Sequence, residues 1–466
     1  MQKEKQDDVF SKILRVFTKN FLSRQKSAKR KIGLECEFPV VFESGDAVSY
    51  GVIRLMFRHL GKLGFTLHKD EGTGEVVAAD GAISDGKGRF GYNKDTIGTD
   101  VGYCTVEVSF APEENLLLLD QHVTKVMRLL VDFFSQHHCR ILGYGVQPVT
   151  RPNKLLLANK GRYIFFEQDS LNRFIDPRDG VDLHVFTTSC ANQVHIDIYK
   201  QEAIRAVNVF NGLSGLQIAF GANAPIWKGK VDEQWKAIRE IFWDYGWTNR
   251  LDQTGVPKKF KNFQDYVNYL GSFRPLMVKR NGEYIKIVNK ATFMDYLQSA
   301  TAIGATVKGK KVLLKPQTSD IHFQAGFAWI NGRLAPAYGT LEARVCCQQP
   351  PGETLVVPAF VLGVIENLIE AEKLLNLYQW DDWQKLRFDA LRHTFSARMN
   401  NKSIVPLVKK LVTVAYDGLK KRKLGEEKFL EPLWKRIKER QAPADRAIDV
   451  FNAKGMRAFL EEYSFT

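Results

Sequence analysis

A short alternation of apolar and polar residues constrains the fold of this chain more than any other feature. In residues 33–38, Glu35 and Glu37 alternate with three apolar residues. Alternate side chains of a β-strand share a face, so the segment predicts a strand with one apolar face and one carrying both carboxylates. Two acids on one face repel each other unless a cation lies between them. The pair therefore indicates a metal ion.

The same alternation recurs in three later segments of the chain. Their polar faces carry Glu107, then Gln193 with His195, and then Glu342 with Arg344. One such strand is typical of an antiparallel sheet with a solvated face. Together, however, these faces lack lysine and are rich in acids, whereas solvent faces usually mix polar types. Carboxylates with one histidine and one glutamine suit a hard cation such as Mg²⁺, and Arg344 could hold a phosphate oxygen.

Strands and helices mix along the chain without a regular β–α–β alternation. This order favours an α+β fold with an antiparallel sheet. Helices are expected near residues 47–64, 113–138 and 200–219. Residues 232–300 indicate mainly helix and loop, strands return at about 320–347, and the pattern after Pro358 is helical.

The N-terminal segment has the pattern of an amphipathic helix. Five apolar residues recur at helical spacing in residues 9–22, namely Phe10, Ile13, Leu14, Phe17 and Phe21. An apolar stripe of this width usually packs against the body of a protein. We expect docking onto the fold rather than onto a membrane surface.

The formal net charge of +15 is concentrated at the two ends of the chain. Residues 1–31 carry ten Lys/Arg against three acids, and residues 405–466 carry fourteen against nine. The nearly neutral body argues against a nucleic-acid groove; solvated basic faces are the simpler explanation, and contact with an acidic partner is the alternative. The chain shows neither the roughly 20 apolar residues of a membrane span nor a secretory signal, so we expect a cytoplasmic protein.

Two weaker signals do not indicate a functional site. Residues 81–88 fit the spacing GxxxxGK, but Gly88 replaces the Ser/Thr of a phosphate-binding loop, so we expect a turn. Any ATP would therefore bind without that loop. The six cysteines lack metal-binding spacing and are expected to be small buried hydrophobes.

Seven motifs occur in the order seen in plant-type glutamate–cysteine ligases and related carboxylate–amine ligases. They are IGLECEF (32–38), VEVSFAP (106–112), GYGVQP (143–148), KGRY (160–163), TSCANQVHID (188–197), ANAP (222–225) and LEAR (341–344). Together they cover about residues 31–365, and the chain resembles this family. The resemblance implies a fold similar to glutamine synthetase, in which an antiparallel sheet forms a concave, polar cavity.

The resemblance also implies a reaction and a set of site residues. ATP would phosphorylate the γ-carboxylate of glutamate, and an amine, by default that of cysteine, would displace the phosphate to form an amide. Such chemistry depends on positioning and charge neutralisation. The implied roles are Mg²⁺ ligation by Glu35, Glu37, Glu107 and Glu342; nucleotide contact by Gln193, His195 and Arg344; catalysis by Arg344, Lys160 and Arg162; and substrate binding by Arg250 and Tyr103.

The resemblance, taken with the helical pattern at the two ends, suggests three parts of the chain. These are a basic amphipathic N-terminal helix in residues 1–30, a catalytic ligase domain in residues 31–358 and a helical C-terminal region in residues 359–466.

Two departures from the family pattern leave the substrates open. Where the family typically reads Glu-Pro-Gly-Gly-Gln, the nearest acid is Asp100, and Tyr103 replaces a glycine. The acid usually found shortly before Arg250 is replaced by Gly246 or Trp247. Alternatives are therefore a ligase that uses a different amine, a peptide or a carrier protein, and a non-catalytic relative that binds a nucleotide or a partner.

Overall fold

The computed structural model describes residues 2–23, 29–81, 94–170 and 177–466. The turn expected at residues 81–88 lies outside these ranges from residue 82 onwards. The described strands are β1 (Ile32–Phe42), β2 (Thr66–Lys69), β3 (Val76–Gly81), β4 (Asp95–Thr99), β5 (Thr105–Glu113), β6 (Cys139–Ile141), β7 (Asn192–Asp197), β8 (Ile226–Trp227), β9 (Lys230–Val231), β10 (Thr254–Gly255), β11 (Met277–Arg280), β12 (Glu283–Val288), β13 (Ala302–Thr306), β14 (Lys311–Leu314), β15 (Trp329–Ile330), β16 (Gly332–Ala335), β17 (Thr340–Ala343), β18 (Arg398–Met399) and β19 (Lys402–Ser403).

Helices surround these strands and fill most of the C-terminal part. They are α1 (Gln2–Thr18), α2 (Tyr50–Lys62), α3 (Leu116–Gln136), α4 (Gly161–Asp169), α5 (Asp182–Val185), α6 (Ala203–Gly212), α7 (Ser214–Gly221), α8 (Ile238–Tyr245), α9 (Phe263–Ser272), α10 (Phe293–Gln298), α11 (Asp320–Ala325), α12 (Val356–Glu366), α13 (Leu368–Leu375), α14 (Trp380–His393), α15 (Val405–Arg422), α16 (Glu431–Glu439) and α17 (Pro443–Tyr463).

A nine-stranded antiparallel sheet organises the described residues. Its order is β16-β17-β7-β1-β5-β4-β3-β2, and β6 pairs with the far end of β1. The eleven-residue strand β1 lies at the centre, between β7 and β5. The sheet and its surrounding helices confirm the predicted α+β class.

The apolar face of β1 belongs to the core. Leu34, Cys36 and Phe38 are each at most 1% exposed. Helix α12 packs against β1 and β7, and α3 packs against β5 and β6. The ring of Phe38 meets the ring of Phe465, with centroids 5.4 Å apart, so residues beyond α17 also contact the sheet. Burying this face leaves the opposite, polar face of the sheet available for a site.

Helix α1 docks onto the body, as its apolar stripe predicts. Ile13 and Phe17 are fully buried. The ring of Phe17 lies 5.9 Å from that of Tyr266 and 6.3 Å from that of Phe263, which belong to α9. Among the described residues, no helix is both long and apolar enough to span a membrane.

Three expectations about local structure need correction. The helix expected at residues 200–219 is two helices, α6 and α7, which meet at Leu213. Residues 232–300 contain β11 and β12, which form a four-stranded antiparallel sheet with β13 and β14. Strands return before residue 320, in β13 and β14, and helix α11 then separates them from β15, which begins at Trp329.

The boundary expected at residue 358 falls inside helix α12. Ten of the eleven residues of α12 are buried, so the helix lies within the core. It packs against the sheet on one side and against α15 on the other. The sheet and the C-terminal helices thus share one hydrophobic cluster.

Candidate functional site

The polar face of the large sheet lines a cavity of about 800 Å³. Strands β1, β5 and β7, the end of β17 and the start of α4 supply much of its charged lining. Nine residues expected at the site line this cavity, namely Glu35, Glu37, Glu107, Lys160, Arg162, Gln193, His195, Glu342 and Arg344. The volume lies in the range of small-molecule sites. The structure thus brings together the polar faces of all four alternating strands.

One group of cavity residues has the arrangement of a cation site. Ligand atoms of Glu35, His195 and Glu342 all lie within 4.8 Å of one another. The strand register produces this group, because Glu342 lies opposite His195 and Glu35 lies opposite Gln193. His195 Nε2 is 3.5 Å from Glu35 Oε1 and 3.7 Å from Glu342 Oε2.

The orientation of His195 is fixed by its second ring nitrogen. Nδ1 lies 3.0 Å from the hydroxyl of Thr340, which leaves Nε2 directed at the two carboxylates. Burial lowers the pKa of His195, but the charges of Glu342 and Glu35 outweigh burial and raise it overall. In metal-binding histidines the ring nitrogen that does not bind the metal typically makes a hydrogen bond of this kind, which orients the other nitrogen. Two carboxylates and one imidazole therefore fit a divalent cation.

A second acidic group lies further along β1. The antiparallel register places Glu37 directly opposite Glu107 of β5. Burial and then the charge of Asp100 raise the pKa of Glu107 to about 8. The same two causes, in the same order, raise the pKa of Glu37 well above its ordinary value. Both carboxyls are thus destabilised as anions, and a cation between them would relieve the repulsion.

Two hydrogen bonds hold Glu37 in place. The backbone N–H of Ala191 and the amide of Gln193 each donate to its carboxylate at 2.7 Å. Glu37 is 5% exposed, so its orientation is set by the protein rather than by water. Gln193 therefore orients the carboxylate of Glu37 and also lines the cavity.

Glu342 is surrounded by arginines. Arg333 Nε donates to its Oε2 at 2.6 Å from the neighbouring strand β16, and Arg344 donates to its Oε1. Burial would raise the pKa of Glu342, but Arg333, Arg344 and His195 together lower it. Glu342 is therefore an anion at neutral pH. Arg344 also donates to Gln193, which directs the guanidinium along the cavity face.

The start of helix α4 adds positive charge to the cavity. Lys160 precedes the helix and donates to the carbonyl of Thr99, and Arg162 donates to the hydroxyl of Tyr163 at 2.9 Å. Burial and the charge of Arg162 lower the pKa of Lys160 to about 8. These cations lie near Glu107 and suit the phosphate or carboxylate groups of a ligand.

The structure places two expected substrate residues outside the cavity lining. Arg250 is 1% exposed and donates to the carboxylate of Asp169 and, at 2.7 Å, to the carbonyl of Arg274. Tyr103 is half-buried, and its ring lies 4.8 Å from that of Tyr50. Neither side chain lines the cavity, and substrate binding by Arg250 and Tyr103 stays a prediction.

Several cavity residues are not indicated by the sequence pattern. Arg333 lies opposite Glu342 in the register of β16 and β17, and Arg239 of α8 also lines the cavity. Six aromatic residues form one side of the cavity, which we call the aromatic wall: Phe166, Phe186, Trp243, Trp247, Phe327 and Trp329. The density of tryptophan in residues 243–247 is the one sequence signal that could have indicated the wall.

The chain is similar to curated plant enzymes. It is 22% identical over 358 residues to "Glutamate--cysteine ligase, chloroplastic" of Medicago truncatula, and 22% identical over 361 residues to the protein of the same name in Arabidopsis thaliana. Each match covers 75% of this chain. The chain spans 66% of the Medicago protein and 64% of the Arabidopsis protein.

A solved structure has the same fold. The glutamate–cysteine ligase of Francisella tularensis, crystallised in complex with AMP, superposes with a TM-score of 0.52 at 11% identity. The match covers 94% of this chain and 88% of that chain. At the level of sequence, the profile of "Glutamate-cysteine ligase family 2 (GCS2)" matches residues 31–461. The profile match extends over most of the chain and includes every strand of the cavity, so the protein belongs to glutamate–cysteine ligase family 2.

Proposed function

We propose that this protein is an ATP- and Mg²⁺-dependent ligase that joins the γ-carboxylate of glutamate to the amine of cysteine. The observation that carries the proposal is the convergence of two acidic groups, Glu35–His195–Glu342 and Glu37–Glu107, with three cations in one cavity. Membership of the ligase family supports the choice of substrates. The catalytic part would be residues 31–358.

The two acidic groups account for the metal requirement. They offer oxygen-rich ligand sets of the kind that Mg²⁺ prefers. Bound there, Mg²⁺ would neutralise charge on the phosphates during phosphoryl transfer. Glu342 is held as an anion by Arg333 and Arg344, and Glu37 is fixed by Gln193, so both ligand sets are preorganised.

The cationic side chains of Arg344, Lys160 and Arg162 would bind the phosphate groups during the reaction. The glutamate γ-carboxylate would attack the terminal phosphorus of ATP, and ADP would leave. Arg344 donates to Glu342 and to Gln193, which itself donates to Glu37, and would donate to the transferred phosphoryl oxygens. Lys160 and Arg162, whose charges act on Glu107, would bind a phosphate or the carboxylate of the amino acid. The amine would then attack the acyl phosphate, and phosphate would leave as the amide forms.

The direct test is an assay of the purified protein with ATP, MgCl₂, glutamate and cysteine. We expect release of ADP and phosphate and a product with the mass of the dipeptide. The variant Arg344→Ala should lower turnover by about 10³-fold, in the range seen for arginines that contact a transferred phosphoryl group. Arg457→Ala is the matched control, because Arg457 is 91% exposed and pairs with Glu461 in its own helix.

Two results would contradict the proposal in different ways. ADP release with another amine but none with cysteine would contradict cysteine as the acceptor. It would still support phosphoryl transfer from ATP to the carboxylate. ADP release that needs neither glutamate nor an amine, or no ADP release with any amine, would exclude a ligase of this kind.

A further inference from the structure

The aromatic wall is a continuous surface of touching rings. The ring of Phe186 lies 4.3 Å from that of Trp243, and Trp243 stacks on Trp329 at 5.8 Å with 29° between the ring planes. Trp247 follows at 5.3 Å from Trp329, and Phe166 lies 5.4 Å from Trp247. Rings that support one another in this way are held rigidly.

Part of this apolar surface remains uncovered inside the cavity. All six rings line the cavity; Phe186, Trp247 and Phe327 are buried, whereas Phe166, Trp243 and Trp329 are only partly buried. Covering the apolar surface of a cavity with a ligand is favourable, because that surface is removed from water. A flat or bulky apolar group is the ligand chemistry that such rings favour.

The wall begins beside the proposed reaction centre. The guanidinium of Arg344 lies 5.9 Å from the centroid of the Trp243 ring. In the proposed reaction the attacking amine must reach the acyl phosphate that Arg344 contacts. A side chain attached to that amine would therefore lie against Trp243 and Trp329. The base of ATP is separated from the transferred phosphorus by two phosphates and a ribose, so it lies further from Arg344.

We propose that the aromatic wall is an acceptor subsite that lets this ligase couple amino acids with an aromatic side chain, as well as cysteine, to its carboxylate substrate. This inference rests on the proposed function. It also gives a role to Trp247, which with Gly246 is one of the two residues that could replace the acid usually found in the family. The step is the same amide synthesis: the amine nitrogen forms a bond to the acyl carbon, and the carbon–oxygen bond to phosphate breaks. Phosphate leaves with the electron pair, and the amine releases its proton.

The test compares phenylalanine with alanine, which differ only by the phenyl ring. Purified protein is supplied with ATP, MgCl₂, glutamate and each amine, and amide formation is measured by mass spectrometry. We expect kcat/KM for phenylalanine to exceed that for alanine by about tenfold or more, as for an apolar group that fills a fitting subsite. Equal values for the two amines would overturn the inference, and a cysteine product in the same assay would leave the proposed function intact.

Variants of the aromatic wall show whether it binds the side chain of the acceptor amine or the base of ATP. Trp329→Ala should lower the phenylalanine-to-alanine ratio of kcat/KM by about tenfold, and Trp329→Phe should retain most of that ratio. Trp434→Ala is the control, because Trp434 packs against Tyr416 in the C-terminal helices. A higher KM for ATP with every amine, at an unchanged ratio, would mean that the wall holds the base of ATP and would overturn the inference.

A binding measurement decides the inference without turnover. Calorimetric titration of the wild-type protein with phenylalanine and with alanine should show tighter binding of phenylalanine, and Trp329→Ala should remove the difference. If no amine supports ADP release, the proposed function fails on that result alone. Equal binding of the two amino acids would in turn contradict the aromatic subsite alone.

Discussion

Glu37 of β1 and Glu107 of β5 lie directly opposite each other at the centre of the antiparallel sheet, on its cavity face. Like charges at such a cross-strand position destabilise a sheet. The protein supports this pair with hydrogen bonds to Glu37 and places Lys160 near Glu107, but burial still raises the pKa of both carboxyls. Buried like charges that lower the stability of the fold in this way are expected at a site where a ligand binds to those charges.

Replacing Glu37 by glutamine should lower the activity of the protein without lowering its stability. Glu37→Gln keeps the shape and removes the buried charge, so we expect a free energy of unfolding equal to or above that of the wild type. ADP release should fall by about 10²-fold or more, as when one preorganised electrostatic contact is lost. Thermal unfolding and a coupled ADP assay measure the two effects. Glu43→Gln, just after β1 and exposed, is the control, and unchanged turnover in Glu37→Gln would contradict the metal role.

The affinity for Mg²⁺ should depend on pH. The pKa of Glu107 is about 8 without a cation, so below pH 8 this carboxyl carries a proton that Mg²⁺ must displace. Affinity should therefore rise from pH 6 to pH 8, by at most about tenfold per pH unit for each displaced proton, and then level off. Calorimetry in buffers of different ionisation enthalpy measures the released protons. The variant Glu107→Gln should show a flatter profile, and a wild-type affinity that does not vary with pH would contradict the prediction.

The stability of the cation-free protein should show the opposite trend. Because the folded-state pKa of Glu107 lies above the unfolded value, the folded state binds the extra proton between these two pKa values. The free energy of unfolding should thus fall as the pH rises from about 5 to 8 in the presence of a chelator. Denaturant titrations at several pH values measure it, with Glu107→Gln as the comparison. A rise over this window would mean that Glu107 is not protonated in the folded cavity.

Arg250 should matter for folding rather than for substrate binding. Its guanidinium donates to the buried carboxylate of Asp169, which also pairs with Arg274 at 2.7 Å. Removing one partner of a buried ion pair costs about 3 to 5 kcal/mol, so Arg250→Met should lower the free energy of unfolding by about that amount. The double variant Arg250→Met/Asp169→Asn should recover part of the loss. A large rise in the KM for glutamate, with no loss of stability, would contradict this assignment.

The docking of α1 should contribute measurably to stability. Phe17 is fully buried against the rings of Tyr266 and Phe263, so Phe17→Ala should cost about 3 to 5 kcal/mol. Lys19→Ala changes an exposed residue next to α1 and should stay within about 0.5 kcal/mol of the wild type. Urea unfolding compares the two variants. Equal stabilities would mean that α1 does not dock in solution.

The sequence predicts the sheet face well because its signal is local. Alternation within each strand assigns Glu35, Glu107, His195 and Glu342 to polar faces, and the fold needs only to align those strands. The position of Arg250 depends instead on Asp169, 81 residues away, which no local pattern reveals.

The role of Arg333 and the four-stranded sheet could not be predicted from local sequence patterns either. Arg333 reaches Glu342 only through the pairing of β16 with β17, so its role depends on tertiary register. In β11 two apolar residues precede Lys279 and Arg280, and in β12 Lys286 lies between Ile285 and Ile287. Such brief, highly charged strands resemble loops when they are considered alone, and this explains the missed four-stranded sheet.

The central position of β1 has a consequence for how the chain folds. Its partners arrive late in synthesis: β5 about 70 residues after it, β7 about 160 residues after it, and Phe465 more than 400 residues after it. Chains dominated by such distant contacts fold slowly and expose unpaired strand edges meanwhile. During translation, the acidic, half-apolar strand β1 therefore keeps an unpaired edge until about 200 of the 466 residues are made, and chaperone demand should be highest in that interval.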